Sequence, residues 1–239
     1  MSCQDDSHHE KSITIAVASN FKEAAEAISR AYEAETGRSL VLVSGSTGKL
    51  SAQIQLGAPF DIFLSADSHA PRHLAEIGYA REDTQFTYAL GRLALHSHSP
   101  NFVIPQKGFP ALDLIQHMAI ANPKLAPYGR ASRETLEALG HWETLKGKIV
   151  RGENIAQTWH FVSSGNAELG LVAASQLLNT ENGSTWLVPS NLHAPIEQDA
   201  ILIHDTLEAR QFLSFLKSQA SRDLIKSYRY DLPAVNHAE

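Results

Sequence analysis

Short apolar runs alternate with amphipathic segments along almost the whole chain. Residues 13–17 (ITIAV), 40–43 (LVLV) and 169–173 (LGLVA) are apolar runs of strand length. Residues 21–36 have the periodicity of a helix, and similar helical segments follow most of the other apolar runs. Strands that alternate with helices predict an α/β protein with mostly parallel sheets, covered by helices on both faces.

The remaining predicted elements follow the same alternation. Further strands are predicted at residues 60–65, 86–96, 118–121, 148–151, 186–188 and 200–203. Further helices are predicted at residues 68–78, 112–119, 131–139, 155–164, 174–178, 206–219 and 221–228. No internal repeat is visible beyond the strand-turn-helix unit.

Small and polar residues mark the start of several predicted helices. The first turn of a helix leaves backbone N–H groups free, and together with the helix dipole they favour an anion. Ser, Thr and Asn are also common N-caps that satisfy only their own helix, so one such turn does not predict a ligand. Four turns predict a site only if the fold brings them together. They are Ser19-Asn20, Ser46-Thr47-Gly48, Pro127-Tyr128-Gly129 and Glu153-Asn154-Ile155.

Composition narrows the possible classes of function. The 239 residues suit one large domain or two small ones, and the net charge of −6 argues against broad binding to nucleic acid. Neutral backbone donors can still hold a small anion. The one cysteine, Cys3, excludes an internal disulfide and a cysteine-rich zinc site. No apolar run approaches the roughly 18 to 20 residues of a membrane span, and no secretory segment is visible.

The polar segment at residues 1–11 is expected to be disordered. In a surface-anchored bacterial protein, Cys3 would be a lipidation site just before a polar tether; the alternative is a cysteine without a role in a flexible tail.

Three further patterns suggest other kinds of site. Residues 45–49 (GSTGK) invite a P-loop interpretation, but Val43 and Leu50 stand where that motif needs Gly and Ser or Thr. Lys49 is therefore expected to be a solvated helix residue. Asp61 and Asp67 flank a strand on one face, yet no nucleophile or base accompanies them, so a structural or interlobe role is favoured. The twelve histidines form no H-E-x-x-H or similar metal motif.

Several segments, in order, look like the periplasmic molybdate-binding proteins of ABC importers. They are residues 15–20 (IAVASN), 44–48 (SGSTG), 53–59 (QIQLGAP), 61–67 (DIFLSAD), 120–123 (IANP) with 126–129 (APYG), and 167–172 (AELGLV). The match runs from about residue 12 to residue 233.

This resemblance implies a type II-like periplasmic binding protein fold, with two α/β lobes that close over a tetrahedral oxyanion. Each lobe would be a mostly parallel sheet flanked by helices, and crossing strands would form the hinge. Residues 12–90 and 204–239 are expected to build the first lobe and residues 91–203 the second. The hinge is expected near residues 89–95 and again near residues 200–204.

The resemblance also implies a set of ligand-binding residues. In the first lobe, Ser19 and Thr47 match hydroxyl and amide donors, and Asn20 matches a further donor in some members. In the second lobe, Tyr128 and Ile155 match positions that donate backbone N–H groups. The chain departs from the pattern at Ala173, where some members carry a Tyr whose hydroxyl reaches the ligand; Asn20 or a water could substitute.

The implied function is capture of molybdate or tungstate and delivery to the membrane permease of an ABC importer. The protein would act outside the cytoplasm as a monomer, with no cofactor and no direct cation ligands. A site made only of donors would reject protonated phosphate but leaves sulfate, molybdate and tungstate. Thr47→Ala and Ser19→Ala are expected to weaken binding, and Asp67→Asn to change it little.

Three alternatives remain open. One is a binder of sulfate or another small solute with the same fold. Another is the effector domain of a transcription regulator, which is disfavoured because the first strand begins by Ser12 with no helix-turn-helix before it. The third is an enzyme that uses the interlobe cleft, although no nucleophile-base-acid set emerges from the sequence.

Overall fold

A computed structural model describes residues 12–104, 107–180 and 182–234. Within these ranges the chain forms ten strands and eight α-helices. The strands are β1 (Ile13–Ala18), β2 (Leu40–Gly45), β3 (Ile62–Leu64), β4 (Arg81–Gly91), β5 (Leu93–Ser97), β6 (Met118–Ala121), β7 (Ile149–Gly152), β8 (Leu169–Ala173), β9 (Ser184–Leu187) and β10 (Ile196–Leu202). The helices are α1 (Lys22–Thr36), α2 (Thr47–Gln55), α3 (His69–Glu76), α4 (Pro127–Ala138), α5 (Trp142–Leu145), α6 (Ile155–Ser163), α7 (Leu207–Leu216) and α8 (Gln219–Ser227).

The first sheet has the strand order β2-β1-β3-β10-β4 and is covered on both faces. Ile28 and Tyr32 of α1 pack with Phe212 of α7 against one face. Leu50 of α2 and Leu74 of α3 lie in the core on the other face. We call this sheet, with α1–α3, α7 and α8, the first lobe.

The second sheet has the order β7-β6-β8-β5-β9, and with α4–α6 it forms the second lobe. Tyr128 and Leu136 of α4 lie in the core on one face, and Val162 of α6 packs with Val172 of β8 on the other. Both sheets are mixed, but in each of them four of the five strands run in the same direction, as the prediction of mostly parallel sheets requires. One strand in each sheet is reversed, β10 in the first and β5 in the second, and it pairs antiparallel with both of its neighbours. These antiparallel strands flank the two places where the chain changes sheet.

The chain leaves the first sheet after Gly91 and enters the second at Leu93, within the predicted first crossing. It returns between β9 and β10, so the predicted second crossing at residues 200–204 is wrong. Ala200, Ile201 and Leu202 pair with β3, deep inside the first sheet. The predicted lobe boundary at residues 203 and 204 is therefore too late, and residues 196–203 belong with the first sheet.

Three predicted helices differ from the structure, and one of them, at residues 174–178, is a 3₁₀ helix at Ala174–Leu177. Residues 112–119 form no α-helix: a 3₁₀ turn covers Leu112–Leu114, Ile115 is extended with φ −86° and ψ 120°, and β6 begins at Met118. Helix α4 begins at Pro127, earlier than predicted, since proline suits the first helical position. The predicted tail at residues 1–11, including Cys3, lies outside the described residues. No helix in the described ranges is both long enough and apolar enough to span a membrane.

Candidate functional site

A small cavity lies where the ends of β1 and β2 face the first turns of α4 and α6. The structure brings all five residues of the predicted site to it. Its lining is Ala18, Ser19, Asn20, Gly45, Ser46, Thr47, Ala66, Ala126, Pro127, Tyr128 and Ile155. The cavity volume is about 10 Å³, which corresponds to about one water-sized sphere. In this closed arrangement the space suits a compact ion rather than a sugar or a peptide.

Three residues with hydroxyl groups line the cavity from the first lobe. The Thr47 hydroxyl accepts a hydrogen bond from the Ala66 N–H at 3.1 Å, which leaves its own proton free to donate. Ser46 is the N-cap of α2 but makes no capping bond, and its buried hydroxyl has no partner among the described residues. The Ser19 N–H already donates to the Gly45 carbonyl at 2.9 Å, so the donor that Ser19 can offer to a ligand is its hydroxyl. Ser46 belongs to one of the four predicted turns but is not among the predicted ligand-binding residues, because an N-cap serine usually satisfies its own helix.

Asn20 lines the cavity, but its side chain is occupied elsewhere. Its Nδ2 donates to Gln198 Oε1 at 2.7 Å and to the Tyr230 hydroxyl at 3.0 Å. Both amide protons are therefore used, and the side chain cannot replace the hydroxyl that is missing at Ala173. The backbone N–H is the donor that Asn20 retains for the cavity.

Backbone N–H groups face the cavity from the second lobe. Tyr128 is the second residue of α4, after Pro127, and Ile155 is the first residue of α6. First-turn N–H groups have no acceptor within their own helix, so both are free for a ligand, and each helix N-terminus adds positive potential. The side chains of Tyr128 and Ile155 are buried in the second-lobe core.

Gln176 supports this side of the cavity and was missed by sequence reasoning. Its Oε1 accepts from the Ala173 N–H at 3.0 Å, and its Nε2 donates to the Ile155 carbonyl at 3.0 Å. The link fixes the start of α6 to the end of β8. Ala173 itself is buried and does not line the cavity. No local motif marks Gln176, because both of its partners are backbone groups.

The cavity lining carries no charged side chain, but charges meet across the cleft beside it. Arg130 of α4 donates to Asp67 at 2.5 Å, and Lys49 of α2 pairs with Glu153 just before α6. Lys49 is therefore not merely solvated as predicted, and Asp67 has the interlobe contact that was favoured for it. Asp61 instead accepts from the Thr14 N–H at 2.8 Å within the first lobe.

Backbone atoms of the two lobes also touch beside the cavity. The Gly48 N–H donates to the Leu125 carbonyl at 2.9 Å, and a Cβ on Gly48 would lie only 3.1 Å from that oxygen. Glycine thus permits the close approach of the lobes here. Burial raises the pKa of the Tyr128 hydroxyl well above its usual value, so this group stays neutral. Within the described part of the chain, no group of three or more His, Cys, Asp or Glu is arranged to hold a metal ion.

Comparison with known proteins identifies the family. The model of the bacterial extracellular solute-binding proteins matches residues 13–231. The chain belongs to this family. A protein named molybdate-binding protein ModA, from Rhodobacter capsulatus, is 42% identical over 221 residues, which cover 91% of this chain and 87% of that one. The ModA of Azotobacter vinelandii is 40% identical over 226 residues, 92% of this chain and 90% of its own length.

A solved structure supports the same assignment of the solute-binding fold. The periplasmic molybdate-binding protein of Azotobacter vinelandii superposes with a TM-score of 0.88 at 35% identity, over 93% of this chain and all of that one. The family resemblance and the two-lobed α/β fold predicted from the sequence are thus confirmed. The names of these relatives denote solute-binding proteins rather than enzymes, and the family name places its members outside the cytoplasm.

Proposed function

We propose that this protein captures molybdate or tungstate in the interlobe cavity and delivers it to the membrane permease of an ABC importer. The observation that carries the proposal is the cavity lining, which offers hydroxyl groups and helix-start N–H groups but no charged side chain. The ligand-binding residues are Ser19, Asn20, Ser46, Thr47, Tyr128 and Ile155. The names of the similar proteins favour molybdate as the cargo.

A lining of neutral donors suits a fully ionised oxyanion. Each hydrogen bond from a neutral donor to a charged oxygen contributes about 1.5 to 3 kcal/mol. Phosphate at neutral pH carries a proton that needs an acceptor, and no carboxylate lines the cavity. Such a site therefore favours molybdate, tungstate and sulfate over phosphate. These three anions differ mainly in size, and the names of the similar proteins favour an anion of the size of molybdate.

Binding is expected to proceed by hinge closure. The anion first meets the hydroxyl groups of the first lobe, and the helix starts of the second lobe then close over it. The Gly48–Leu125 hydrogen bond and the two interlobe ion pairs form in the closed arrangement. The protein acts outside the cytoplasm as a monomer and needs no cofactor.

Titration calorimetry of ligand-stripped protein tests this function. We expect binding of one molybdate or tungstate per chain, with sulfate weaker by about 100-fold, or about 2.8 kcal/mol, and no heat from phosphate. Equal affinity for sulfate and molybdate would show that the protein is a sulfate binder of the same fold. The absence of binding to any of these oxyanions would contradict the proposal altogether.

A further inference from the structure

A buried polar cluster lies behind the first-lobe side of the cavity. It joins four segments that are distant in sequence: Asn20 after β1, Ser175 after β8, Gln198 in β10, and Tyr230 after α8. All four residues are at least nine-tenths buried. Buried polar groups of this kind need partners, and here they find them in one another.

The cluster fixes Asn20 from three directions. The Tyr230 hydroxyl donates to the Asn20 carbonyl at 2.7 Å and accepts from Asn20 Nδ2 at 3.0 Å. The Ser175 hydroxyl, from the second lobe, donates to the same carbonyl at 3.2 Å. Gln198 Oε1 accepts from the other proton of Nδ2 at 2.7 Å. With its carbonyl and amide held, Asn20 has its backbone N–H left for the cavity that it lines.

The backbone on both sides of Tyr230 is arranged to bring it to this position. Arg229 has a φ of 60°, a left-handed conformation that is uncommon for a residue other than glycine. Asp231 and Leu90 of β4 exchange two backbone hydrogen bonds, at 2.8 and 3.0 Å. The Tyr230 ring meets Phe21 edge to face, with 5.3 Å between the ring centroids. A sharp turn and a bridge to β4 thus place the hydroxyl at Asn20.

We propose that Tyr230 is a positioning residue of the oxyanion site. It does not line the cavity, so it acts through Asn20, which it orients so that the backbone N–H donates to the anion. Ser175 ties the same peptide to the second lobe, so closure and orientation of Asn20 support each other. This inference rests on the proposed function, because it assigns a role within that site.

The test uses Tyr230→Phe, which keeps the ring packing and removes the hydroxyl. Tyr228→Phe, two residues earlier and partly exposed, is the matched control. We expect molybdate affinity to fall about 10-fold in Tyr230→Phe and to stay unchanged in Tyr228→Phe. Ser175→Ala is a second, milder variant that removes a donor from the same carbonyl, with an expected loss of about threefold.

A double-mutant cycle separates positioning from general destabilisation. Asn20→Ala keeps the backbone N–H but loses the side-chain clamp, so its effect on affinity should overlap with that of Tyr230→Phe. The pair should therefore lose much less than the product of the two single effects. Combined with Thr47→Ala, Tyr230→Phe should be nearly additive, because Thr47 donates independently.

Two results would contradict the role of Tyr230, and a third would contradict the proposed function on which it rests. Unchanged affinity in Tyr230→Phe, with only a lower melting temperature, would reduce Tyr230 to a packing residue. Full additivity with Asn20→Ala would also overturn the inference, and in both cases the wild-type protein would still bind molybdate. If the wild-type protein and Tyr228→Phe bind none of molybdate, tungstate and sulfate, the proposed function fails and the inference falls with it.

Discussion

The two sides of the cavity supply hydrogen-bond donors of different kinds. The first lobe offers mainly side-chain hydroxyls, those of Ser19, Ser46 and Thr47, beside the backbone N–H of Asn20, whereas the second lobe offers only backbone N–H groups, at Tyr128 and Ile155. A single substitution can remove a side-chain hydroxyl, but almost every substitution keeps the backbone N–H. The first side is therefore constrained in residue type, and the second is constrained mainly in the geometry of two helix starts.

The charges beside the cavity are also divided between the lobes. The first lobe carries Lys49 and Asp67, and the second carries Glu153 and Arg130. In one ion pair the first lobe supplies the cation, and in the other it supplies the anion. Both ion pairs can form together only in one alignment of the lobes. The neutral donors bind the anion, while the charges around them define how the lobes meet.

The largest expected effect is at Thr47, on the hydroxyl side. Thr47→Ala removes a donor to the anion and leaves the Ala66 N–H without its acceptor. We expect molybdate affinity to fall about 100-fold, or about 3 kcal/mol, by titration calorimetry. Thr47→Ser keeps the hydroxyl and should recover most of the affinity. The control Thr36→Ala removes an exposed hydroxyl that bonds the Tyr32 carbonyl, and it should bind as the wild type does.

Ser46→Ala sharpens the same comparison within the hydroxyl side. The Ser46 hydroxyl is buried without a partner, so its loss should cost mainly the bond to the anion, about 10-fold in affinity. If Ser46→Ala weakened binding more than Thr47→Ala, the principal first-lobe donor would be Ser46. If neither variant changed affinity, the hydroxyl side of the proposed site would be wrong.

Ile155→Pro tests the backbone donors of the second lobe, which other substitutions leave in place. Proline is well accepted at the first position of a helix, and Ile155 occupies that position in α6. Asn154 is extended, with φ −141° and ψ 176°, which suits a residue before proline. The substitution thus removes one N–H while it preserves the helix. We expect affinity about 10-fold below that of Ile155→Ala, which loses similar packing but keeps the N–H.

The difference in affinity between Ile155→Pro and Ile155→Ala measures the contribution of the Ile155 N–H. Equal affinities in Ile155→Pro and Ile155→Ala would mean that the Ile155 N–H does not bind the anion. Circular dichroism of both ligand-free variants should match the wild type, which shows that α6 persists.

The sequence predicted the five site residues because each lies in a local strand-turn-helix or helix-start pattern. Ser19 directly follows β1, and Thr47, Tyr128 and Ile155 stand at helix starts, so short segments and the family resemblance were enough to select them. The structure brings them to one cavity, although their contact with an anion remains a prediction.

The parts that the sequence could not supply depend on distant contacts. The Asn20 side chain is occupied by Gln198 and Tyr230, which are 178 and 210 residues away along the chain. Gln176 acts on two backbone groups, so no side-chain pattern reveals it. The second lobe crossing was misplaced because the apolar run at residues 200–203 fits a central strand of either sheet equally well.

Asp67→Asn tests the better buried of the two ion pairs. The sequence alone predicts little effect, but the contact with Arg130 changes that expectation. Asparagine can still accept from the Ala70 N–H, as Asp67 does, while the interlobe charge attraction is lost. We expect about threefold to tenfold weaker binding, through faster release of molybdate in stopped-flow measurements. Glu137→Gln breaks the exposed Arg133–Glu137 pair on the same helix and should leave release unchanged.

An unchanged release rate in Asp67→Asn would mean that the Arg130 contact does not stabilise the closed arrangement. A slower association rate with unchanged release would assign the charges to attraction of the anion instead.

The smallest expected effect is at the exposed pair of Lys49 and Glu153, where both side chains are about half exposed. Lys49→Glu and Glu153→Lys should each weaken binding only about twofold to fivefold, since exposed ion pairs contribute about 0.2 to 1 kcal/mol. The double exchange restores opposite charges across the cleft and keeps one cation beside the cavity, so affinity should return toward the wild type. The recovery should shrink in 0.5 M salt, because screening weakens exposed pairs. A double variant as weak as the product of the single effects would show that these charges act on the anion separately and do not align the lobes.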